Sequence, residues 1–562
     1  MNFKKLVANT LHQTISSNYL EDDFYNVLEI PKHTSFGDVA FPCFILSKTL
    51  KQPPQKIAED LASTLKSQYF QDVKAVGPYV NFFLNNEYFS GEILKTVVDQ
   101  KHNYGALKIG NGENITIDLS SPNIAKPFSM GHLRSTVIGN SIANIVEKCG
   151  YKPVKINHLG DWGTQFGKLI VAYKKWGDQQ KVEAEPIKEL LELYVKFHEE
   201  AEKHNELENE ARYYFKKLED GDEESLALWK WFREESLKEF QQIYDLLNIS
   251  FDSFNGEAFY NDKMEEVVEL LENKGLLLED NGAQVVRLDE EEMPPCLIRK
   301  SDGATLYATR DLSAAIYRKR TYHFAKSIYV VGNEQNLHFK QLFAVLKKLG
   351  YDYADDMIHV PFGLILKDGK KMSTRKGRVV LLEEVLREAI TMANQNIQDK
   401  NPLLQNKEEI AKQVGVGAVI FHDLKNERMN NVEFSLEEML RFEGETGPYV
   451  QYTFARACSI LKKGNYLEVN QKVSLCDDLS WEIVKQLNDF PFIIEKAYHR
   501  LEPSAIAKYV IDLAQVFNKY YGSVKILHED TEKQSRLALV QAVKIVLHEG
   551  LRLLGIAAPE EM

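Results

Sequence analysis

The chain has 562 residues, of which 44% are hydrophobic and 27% charged, and its formal net charge is −13. These values are ordinary for soluble globular proteins, and the length predicts roughly three to five domains. No apolar stretch approaches the ~18 residues needed to span a membrane, and the segment after Leu6-Val7-Ala8 is too polar for a signal peptide. Composition therefore excludes a membrane-spanning protein and favours an intracellular, multidomain one.

The net charge bears on nucleic-acid binding, and the cysteine content bears on disulfides, metal sites and cellular location. An acidic protein repels a polyanion at long range, so composition alone argues against nucleic acid, unless basic residues are concentrated on one face. The five cysteines are an odd number, are widely scattered and form no C-x-x-C pair. Neither a disulfide framework nor a metal site is expected, and the reducing cytoplasm is the expected location.

Residues 1–108 form the first predicted unit. An amphipathic helix opens the chain, and a short strand-like segment follows at Val80 to Leu84. From these residues alone, the segment is a generic α+β accessory domain.

The stretch from Ile115 to Asn140 predicts a strand, a polar loop and an amphipathic helix that ends at Gly150. Such a corner aims free N–H groups and the positive end of a helix dipole at one point, which suits a phosphate group. Ser129-Met130-Gly131-His132 lie at that point, and Lys126 lies three residues upstream of Ser129. The structural alternative is an ordinary turn with a capping serine and a packed histidine.

Strands alternate with helices over residues 109–380, which predicts a parallel sheet that binds ligands at the carboxyl ends of its strands. A strand at Ser327 to Val331 and a helix from Leu337 to Leu349 resume the pattern after a helical insertion at about 168 to 290. Residues 381–440 and 441–562 are predicted to be helical. Long helices are expected at Pro186 to Lys217, Glu223 to Leu247 and Arg536 to Leu554.

A second phosphate-type element follows a predicted strand from Ile358 to Leu366. It reads LKDGKKMSTRKGRV and includes Lys371, Ser373 and Thr374. Fixed cations and hydroxyl donors stabilise the charge that builds on a transferring phosphoryl or nucleotidyl group. The structural alternative is a solvated, charged turn.

Together, the SMGH and KMSTR segments resemble the H-x-G-H and K-M-S-K-S signatures of class I aminoacyl-tRNA synthetases. Three further blocks are similar to those of the arginyl-tRNA synthetase family: NHLGDWGTQFG (157–167), YATRD (307–311) and GPYVQY (447–452). The resemblance, which extends over essentially the whole chain, is to the bacterial type. It implies a Rossmann-type catalytic domain, an α+β N-terminal domain that contacts tRNA, a helical stem-contact region at 381–440 and an all-α anticodon-binding domain at 441–562.

The resemblance implies that arginine and ATP form arginyl-adenylate and pyrophosphate, after which arginine is esterified to tRNA-Arg. ATP with Mg²⁺ is the expected substrate form. Catalytic roles fall to Lys126, His132, Lys371, Ser373 and Thr374, and ATP contacts to Pro122, Ser129, Met130, Gly131, His132, Lys371 and Met372. Ser129 replaces the first histidine of the usual signature and Thr374 the second lysine, so Lys126 is expected to restore the missing positive charge.

The resemblance also assigns the amino-acid pocket. Tyr307, Asp311 and Gln335 are expected to hold the guanidinium group, which is matched best by a carboxylate. Asp118, Asn123 and His132 are expected to hold the α-amino and carboxylate end, although Asp118 is also explained as a strand-end acceptor. Because such a pocket rejects lysine by roughly 10⁴ without proofreading, the insertion is interpreted as structural or tRNA-contacting.

Three alternatives remain open on the sequence: a class I synthetase of another specificity, a small nucleotidyltransferase that shares only the phosphate motifs, and a non-enzymatic RNA-binding paralogue. ATP–pyrophosphate exchange distinguishes them. The expected working form is a monomer without membrane contact, and the resemblance implies that tRNA must bind before arginine is activated.

Overall fold

The computed structural model describes residues 1–15, 19–300, 307–372, 374–375, 378–467, 473 and 475–562, with residues 374–375 and 378–379 described by their backbone. The chain divides into two compact units. One comprises Met1–Tyr104, Arg456–Pro491 and Asp512–Leu547, and the other Gly105–Ala455, Phe492–Ile511 and His548–Met562.

The N-terminal segment packs helices around a small antiparallel sheet. Its elements are α1 (Phe3–Thr14), α2 (Glu21–Val27), β1 (Val39–Pro42), α3 (Ser47–Leu50), α4 (Pro54–Thr64), β2 (Phe70–Val76), β3 (Tyr79–Leu84) and α5 (Asn86–Gln100). The predicted strand at Val80 to Leu84 is the central one of three, in the order β1-β3-β2. Its neighbours escaped prediction because β1 has four residues and β2 is mostly exposed and polar.

The segment that follows begins with a strand and continues through the helical insertion into a second α/β stretch. Its elements are β4 (Asn114–Ser120), α6 (Leu133–Lys148), β5 (Lys152–Asn157), α7 (Gln165–Trp176), α8 (Gln179–Ala184), α9 (Pro186–Ala201), α10 (Glu206–Glu219), α11 (Glu223–Leu247), α12 (Met264–Asn273), β6 (Leu277–Asp280), β7 (Ala283–Val286), β8 (Cys296–Arg299), α13 (Tyr307–Tyr322), β9 (Lys326–Val330), α14 (Asn336–Lys348) and β10 (Met357–Val360).

A four-stranded parallel sheet confirms the predicted α/β fold. Its order is β10-β9-β4-β5, with Asp118 of β4 opposite Tyr329 of β9. The chain leaves β4 through α6 towards β5 on one side and leaves β9 through α14 towards β10 on the other. The carboxyl ends of β4 and β9 therefore form the switch point at which open parallel sheets bind ligands. A Cβ at Gly139 would lie 2.2 Å from Cβ of Leu119, so glycine permits α6 to pack closely on β4.

Two features of the insertion differ from the sequence expectations. The single helix expected from Pro186 to Lys217 is wrong, since α9 ends at Ala201 and α10 begins at Glu206, directly after Asn205, a residue type favoured at helix starts. An unpredicted antiparallel sheet, β6-β7-β8, also forms. Its first hairpin turns at Asn281-Gly282, both with positive φ, which is the commonest two-residue hairpin signal.

The continuous strand expected from Ile358 to Leu366 is also wrong. The following elements are β11 (Ile365–Lys367), β12 (Lys370–Lys371), β13 (Thr374–Arg375), β14 (Arg378–Val379), α15 (Leu382–Lys400), α16 (Lys407–Leu424), β15 (Val432–Glu433) and α17 (Leu436–Met439). Pro361 ends β10 because it has no N–H for the ladder. β11 instead pairs in parallel with β15, a short exception to the helical pattern expected after Leu381.

Four long helices complete the chain and confirm the helical C-terminal domain. They are α18 (Gly447–Gly464), α19 (Asp478–Arg500), α20 (Ser504–Ser523) and α21 (Lys533–Leu553). In one unit, Asp38 accepts hydrogen bonds from Trp481 Nε1 and Lys485 Nζ, both at 3.0 Å. In the other, Lys148 pairs with Glu549 at 2.9 Å. Nowhere in the described part of the chain is a helix both long and apolar enough to cross a bilayer.

Candidate active site

A cavity of about 650 Å³ opens at the carboxyl ends of β4 and β9. It brings together predicted residues that lie more than 200 positions apart in the chain. Those that line it are Asp118, Asn123, Ser129, Gly131, His132, Tyr307, Asp311, Gln335, Lys371 and Met372. The two phosphate-type segments and the YATRD block therefore belong to one site.

The other predicted residues lie elsewhere. Pro122 is buried and Met130 is fully buried. Lys126 is exposed to solvent, and none of these three is among the described residues that line the cavity. Ser373 lies outside the described residues, and Thr374 is described by its backbone as part of β13.

The SMGH segment forms a tight turn at the start of α6. Nδ1 of His132 accepts a hydrogen bond from the backbone N–H of Ser129 at 3.1 Å and lies 3.2 Å from Ser129 Oγ. Burial lowers the pKa of His132. Since Nδ1 accepts, the neutral imidazole carries its proton on Nε2 and can donate from that atom.

Two glycines shape the walls beside this turn. A Cβ at Gly131 would meet nothing closer than Ser129 Oγ at 3.4 Å, so open space lies in front of the backbone. A Cβ at Gly160 would lie 2.3 Å from Asn123 Oδ1, which shows that Asn123 packs directly on the glycine. This close approach fixes Asn123 at the cavity wall.

The opposite end of the cavity is built on α13. Asp311 lies one helical turn after Tyr307, and Arg318 lies two turns after Asp311, so all three share one face. Arg318 is 1% exposed and its Nη2 donates to Asp118 Oδ2 at 3.0 Å. Burial would lower the pKa of Arg318, but Asp118, Tyr260 and Tyr329 together raise it overall. Asp118 is therefore already neutralised by the protein.

Asp311 lies between two histidines. Its Oδ2 is 2.6 Å from Nε2 of His338, and its Oδ1 is 3.8 Å from Nε2 of His158. Burial would raise the pKa of Asp311, but the hydrogen bond from His338 and the charges of His158, His338 and Arg318 together lower it overall. Burial would lower the pKa of His338, but Asp311 raises it. Both pKa shifts favour the charged forms, an imidazolium beside a carboxylate.

His158 connects the two carboxylates. Arg318 Nη2 lies 3.3 Å from His158 Nδ1, and a guanidinium has donors only, so Nδ1 must accept. Burial lowers the pKa of His158, which agrees with a neutral ring whose proton is on Nε2, facing Asp311. A continuous polar chain thus runs from Asp118 through Arg318 and His158 to Asp311.

Comparison with known proteins identifies the family. Residues 93–436 match the model of tRNA synthetases class I (R), catalytic domain; residues 450–562 match the DALR anticodon binding domain; and residues 1–84 match the arginyl tRNA synthetase N terminal domain. The chain belongs to the arginyl-tRNA synthetase family of class I.

Individual relatives agree over the full length. The chain is 62% identical to an arginine–tRNA ligase of Enterococcus faecalis and 61% identical to arginine–tRNA ligase 1 of Bacillus cereus, each comparison covering 100% of both chains. Among solved structures, the arginyl-tRNA synthetase of Thermus thermophilus matches with a TM-score of 0.80 and 25% identity over 100% of both chains.

Several polar residues of this synthetase cavity were missed by the sequence predictions. They are Arg134, His158, Glu257, Arg318 and His338. Helical spacing from a predicted residue could have found two of them. Arg318 follows Asp311 by seven residues and His338 follows Gln335 by three, and both spacings place side chains on the same face of a helix. Glu257 lies in the insertion, and nothing local to it indicates a ligand.

Glu257, which is half-buried, and Arg134, which is buried, have different partners. Burial raises the pKa of Glu257 to about 7, against the opposing effect of Arg310, whose Nη1 is 3.7 Å away. Arg134 Nε pairs with Asp423 at 3.1 Å. Among the described side chains none accepts a hydrogen bond from Arg134 Nη2.

The described residues contain no group of three or more His, Cys, Asp or Glu side chains arranged to hold a metal ion. At the phosphate end of the cavity, the described lining residues offer neutral donors and one exposed lysine, Lys371.

Proposed function

We propose that this cavity performs both half-reactions of an arginine–tRNA ligase. A carboxylate oxygen of arginine attacks the α-phosphorus of ATP, and the bond to pyrophosphate breaks. A ribose hydroxyl of the terminal adenosine of tRNA-Arg then attacks the arginyl carbonyl, and AMP leaves. The observation that carries the proposal is that Asp311, an ionised carboxylate, lines the same cavity as the SMGH turn.

In this proposal, Asp311 binds the substrate guanidinium with Tyr307 and Gln335. Carboxylates match the planar donor fork of a guanidinium, and the 28% exposure of the Asp311 side chain leaves it accessible from the cavity. Asp118, Asn123 and His132 are assigned to the α-amino and carboxylate end. The support for this division is that the Asp118 side chain, paired with Arg318, is 9% exposed, whereas the Asp311 side chain, although paired with His338, is 28% exposed.

ATP is assigned to the opposite end. Backbone N–H groups at the start of α6 and the positive end of its dipole favour an anion there. The proposed contacts are Pro122, Ser129, Met130, Gly131, His132, Lys371 and Met372. Pro122 and Met130, being buried, would act through their backbone or by shaping the turn.

Lys126, His132, Lys371, Ser373 and Thr374 are proposed to stabilise the transition state. Lys126 would supply the charge that Thr374 does not, and its exposed position leaves it free to reach the nucleotide. No described carboxylate cluster fits Mg²⁺, so magnesium enters the proposal only as part of the ATP substrate.

The wider assignment follows the family matches. Residues 1–108 and 441–562 are proposed to contact the tRNA body and anticodon, and 381–440 the stem, around the catalytic segment 109–380 with its insertion at about 168 to 290. The proposed working form is a cytoplasmic monomer. Three of its five cysteines are buried.

ATP–pyrophosphate exchange across the amino acids, with and without tRNA-Arg, tests this function. We expect exchange with arginine and tRNA together, and discrimination against lysine by roughly 10⁴. Exchange with another amino acid, or tRNA binding with no adenylate formed, would refute the proposal.

A further inference from the structure

Most of the charges that the described residues place at the cavity are paired with an opposite charge. Asp118 is paired with Arg318, Arg134 with Asp423 and Asp311 with His338. Exposed Glu334 and Lys371 are opposite charges that face solvent. Free arginine carries one net positive charge, so binding it beside Asp311 places two cations on one carboxylate.

Such crowding is relieved if one cation loses its charge. The guanidinium groups of Arg318 and of the substrate cannot deprotonate in proteins. His338 can, because an imidazolium titrates near neutral pH and its side chain is 23% exposed. His338 also bonds Oδ2 of Asp311 at 2.6 Å, and a guanidinium that binds in bidentate fashion needs both carboxylate oxygens, Oδ1 and Oδ2.

We propose that His338 is a resident counter-ion of Asp311 that releases its proton when the substrate guanidinium binds, so that His338 sets the pH dependence of arginine affinity. The inference rests on the proposed assignment of Asp311 to the guanidinium. His338 touches Asp311 and acts through it, and is therefore a positioning residue.

Other titratable and charged groups face His338 and Asp311 from the surrounding elements. They are His158, Glu257, Arg318, Tyr329 and His359, while Arg310 acts on Glu257 and Glu334 on His359. Burial lowers the pKa of both His158 and His359, so these two rings are mostly neutral already at the pH where an ordinary histidine is half protonated. Glu257 is the competing source of a proton, since its raised pKa lies in the same window.

The sign of the effect follows from proton linkage. The folded, ligand-free enzyme holds the His338 proton up to a pKa above the ordinary histidine value, and bound arginine lowers that pKa. Arginine therefore competes with one proton in the window between the two pKa values. The KM for arginine should rise as the pH falls, by at most about tenfold per pH unit, and should level off above the pKa of His338.

The experiment is steady-state arginylation with saturating ATP and tRNA, which measures KM for arginine and kcat between about pH 6.5 and 8. The wild-type enzyme should show the KM slope. H338Q, which keeps a neutral donor in place of Nε2, should have a lower KM than wild type at the acidic end and almost no slope. H338N is a second neutral replacement should H338Q fail to fold.

Two further variants separate the sources of a slope. H422Q makes the same change in a histidine that bonds the Glu433 carbonyl and does not line the cavity, and should behave as wild type. E257Q should keep the slope. A flat wild-type profile, a slope that survives in H338Q, or a slope lost in E257Q instead would overturn the inference.

Failure of the proposed function gives a different pattern. If D311N binds arginine with normal KM, the assignment of Asp311 is wrong. If D311N is crippled while H338Q keeps the wild-type slope, only the role of His338 is wrong.

Discussion

The two ends of the cavity are built on opposite principles. At the arginine end, buried and half-buried polar side chains form a chain from Asp118 to His338, with contacts of 3.0 and 2.6 Å at its ends. At the phosphate end, the described donors are a backbone turn, a neutral imidazole and the exposed Lys371.

This difference teaches how one site divides specificity from chemistry. A guanidinium is recognised by a carboxylate whose position is fixed, because buried charge that is misplaced costs more than it contributes. The charge on a phosphoryl group changes during the reaction. Neutral hydrogen-bond donors can stabilise that charge, and they need no opposite charge beside them before the substrate binds. Mutations at the first end should therefore change which amino acid is used, whereas those at the second should change the rate for every substrate.

The largest effect is expected at Asp311. D311N removes the charge that faces the substrate guanidinium, so the guanidinium is partly desolvated without a counter-ion. The kcat/KM for arginine should therefore fall about a thousandfold, which corresponds to roughly 4 kcal/mol. Arginylation kinetics measure it. D355N, which changes an exposed aspartate paired with Lys347, is the matched control and should match wild type. A loss below tenfold would show that Asp311 does not bind the substrate charge.

A smaller effect is expected at Lys126. K126A should slow ATP–pyrophosphate exchange on the order of a hundredfold, because a cation that stabilises the transition state is lost. The loss should appear mainly in kcat, with KM for arginine nearly unchanged. K152A removes another exposed lysine, on β5, and should have no effect. Near-normal exchange by K126A would show that Lys126 is a solvated loop lysine with no role in catalysis.

The smallest effect is expected at Ser129. S129A removes the hydroxyl near His132 Nδ1, but the backbone N–H of Ser129 still donates to that atom. The cost should be about 1 kcal/mol, or roughly fivefold in kcat. S63A, which removes an exposed helix hydroxyl bonded to the Asp60 carbonyl, is the control. A hundredfold loss in S129A would mean that the hydroxyl itself contacts the nucleotide.

The sequence predicts the local turn at the phosphate end better than the side-chain pairings at the arginine end. The SMGH corner is local, since its strand, turn and helix follow one another, and periodicity is enough to place it. The arginine end depends on long-range packing that brings Asp118 to Arg318, 200 residues away, and Asp311 to His338 across two helices. Periodicity carries no information on such pairings.

The fold shows the same limit. The parallel sheet and the long helix α11 were predictable from their patterns, and α11 has the predicted bounds. The break after Val360 and the hairpin at Asn281-Gly282 were marked by proline and by turn residues that the apolar pattern outweighed. Proline and turn residues therefore mark ends of strands that hydrophobic periodicity alone does not show.

The most direct test of the central claim compares arginine with citrulline, its uncharged isostere, in wild type and D311N. The account predicts that wild type strongly prefers arginine and that D311N reduces this kcat/KM ratio by at least about a hundredfold, because only the charged substrate loses its counter-ion. An equal loss for both substrates, with the ratio preserved, would contradict the claim that Asp311 reads the guanidinium charge.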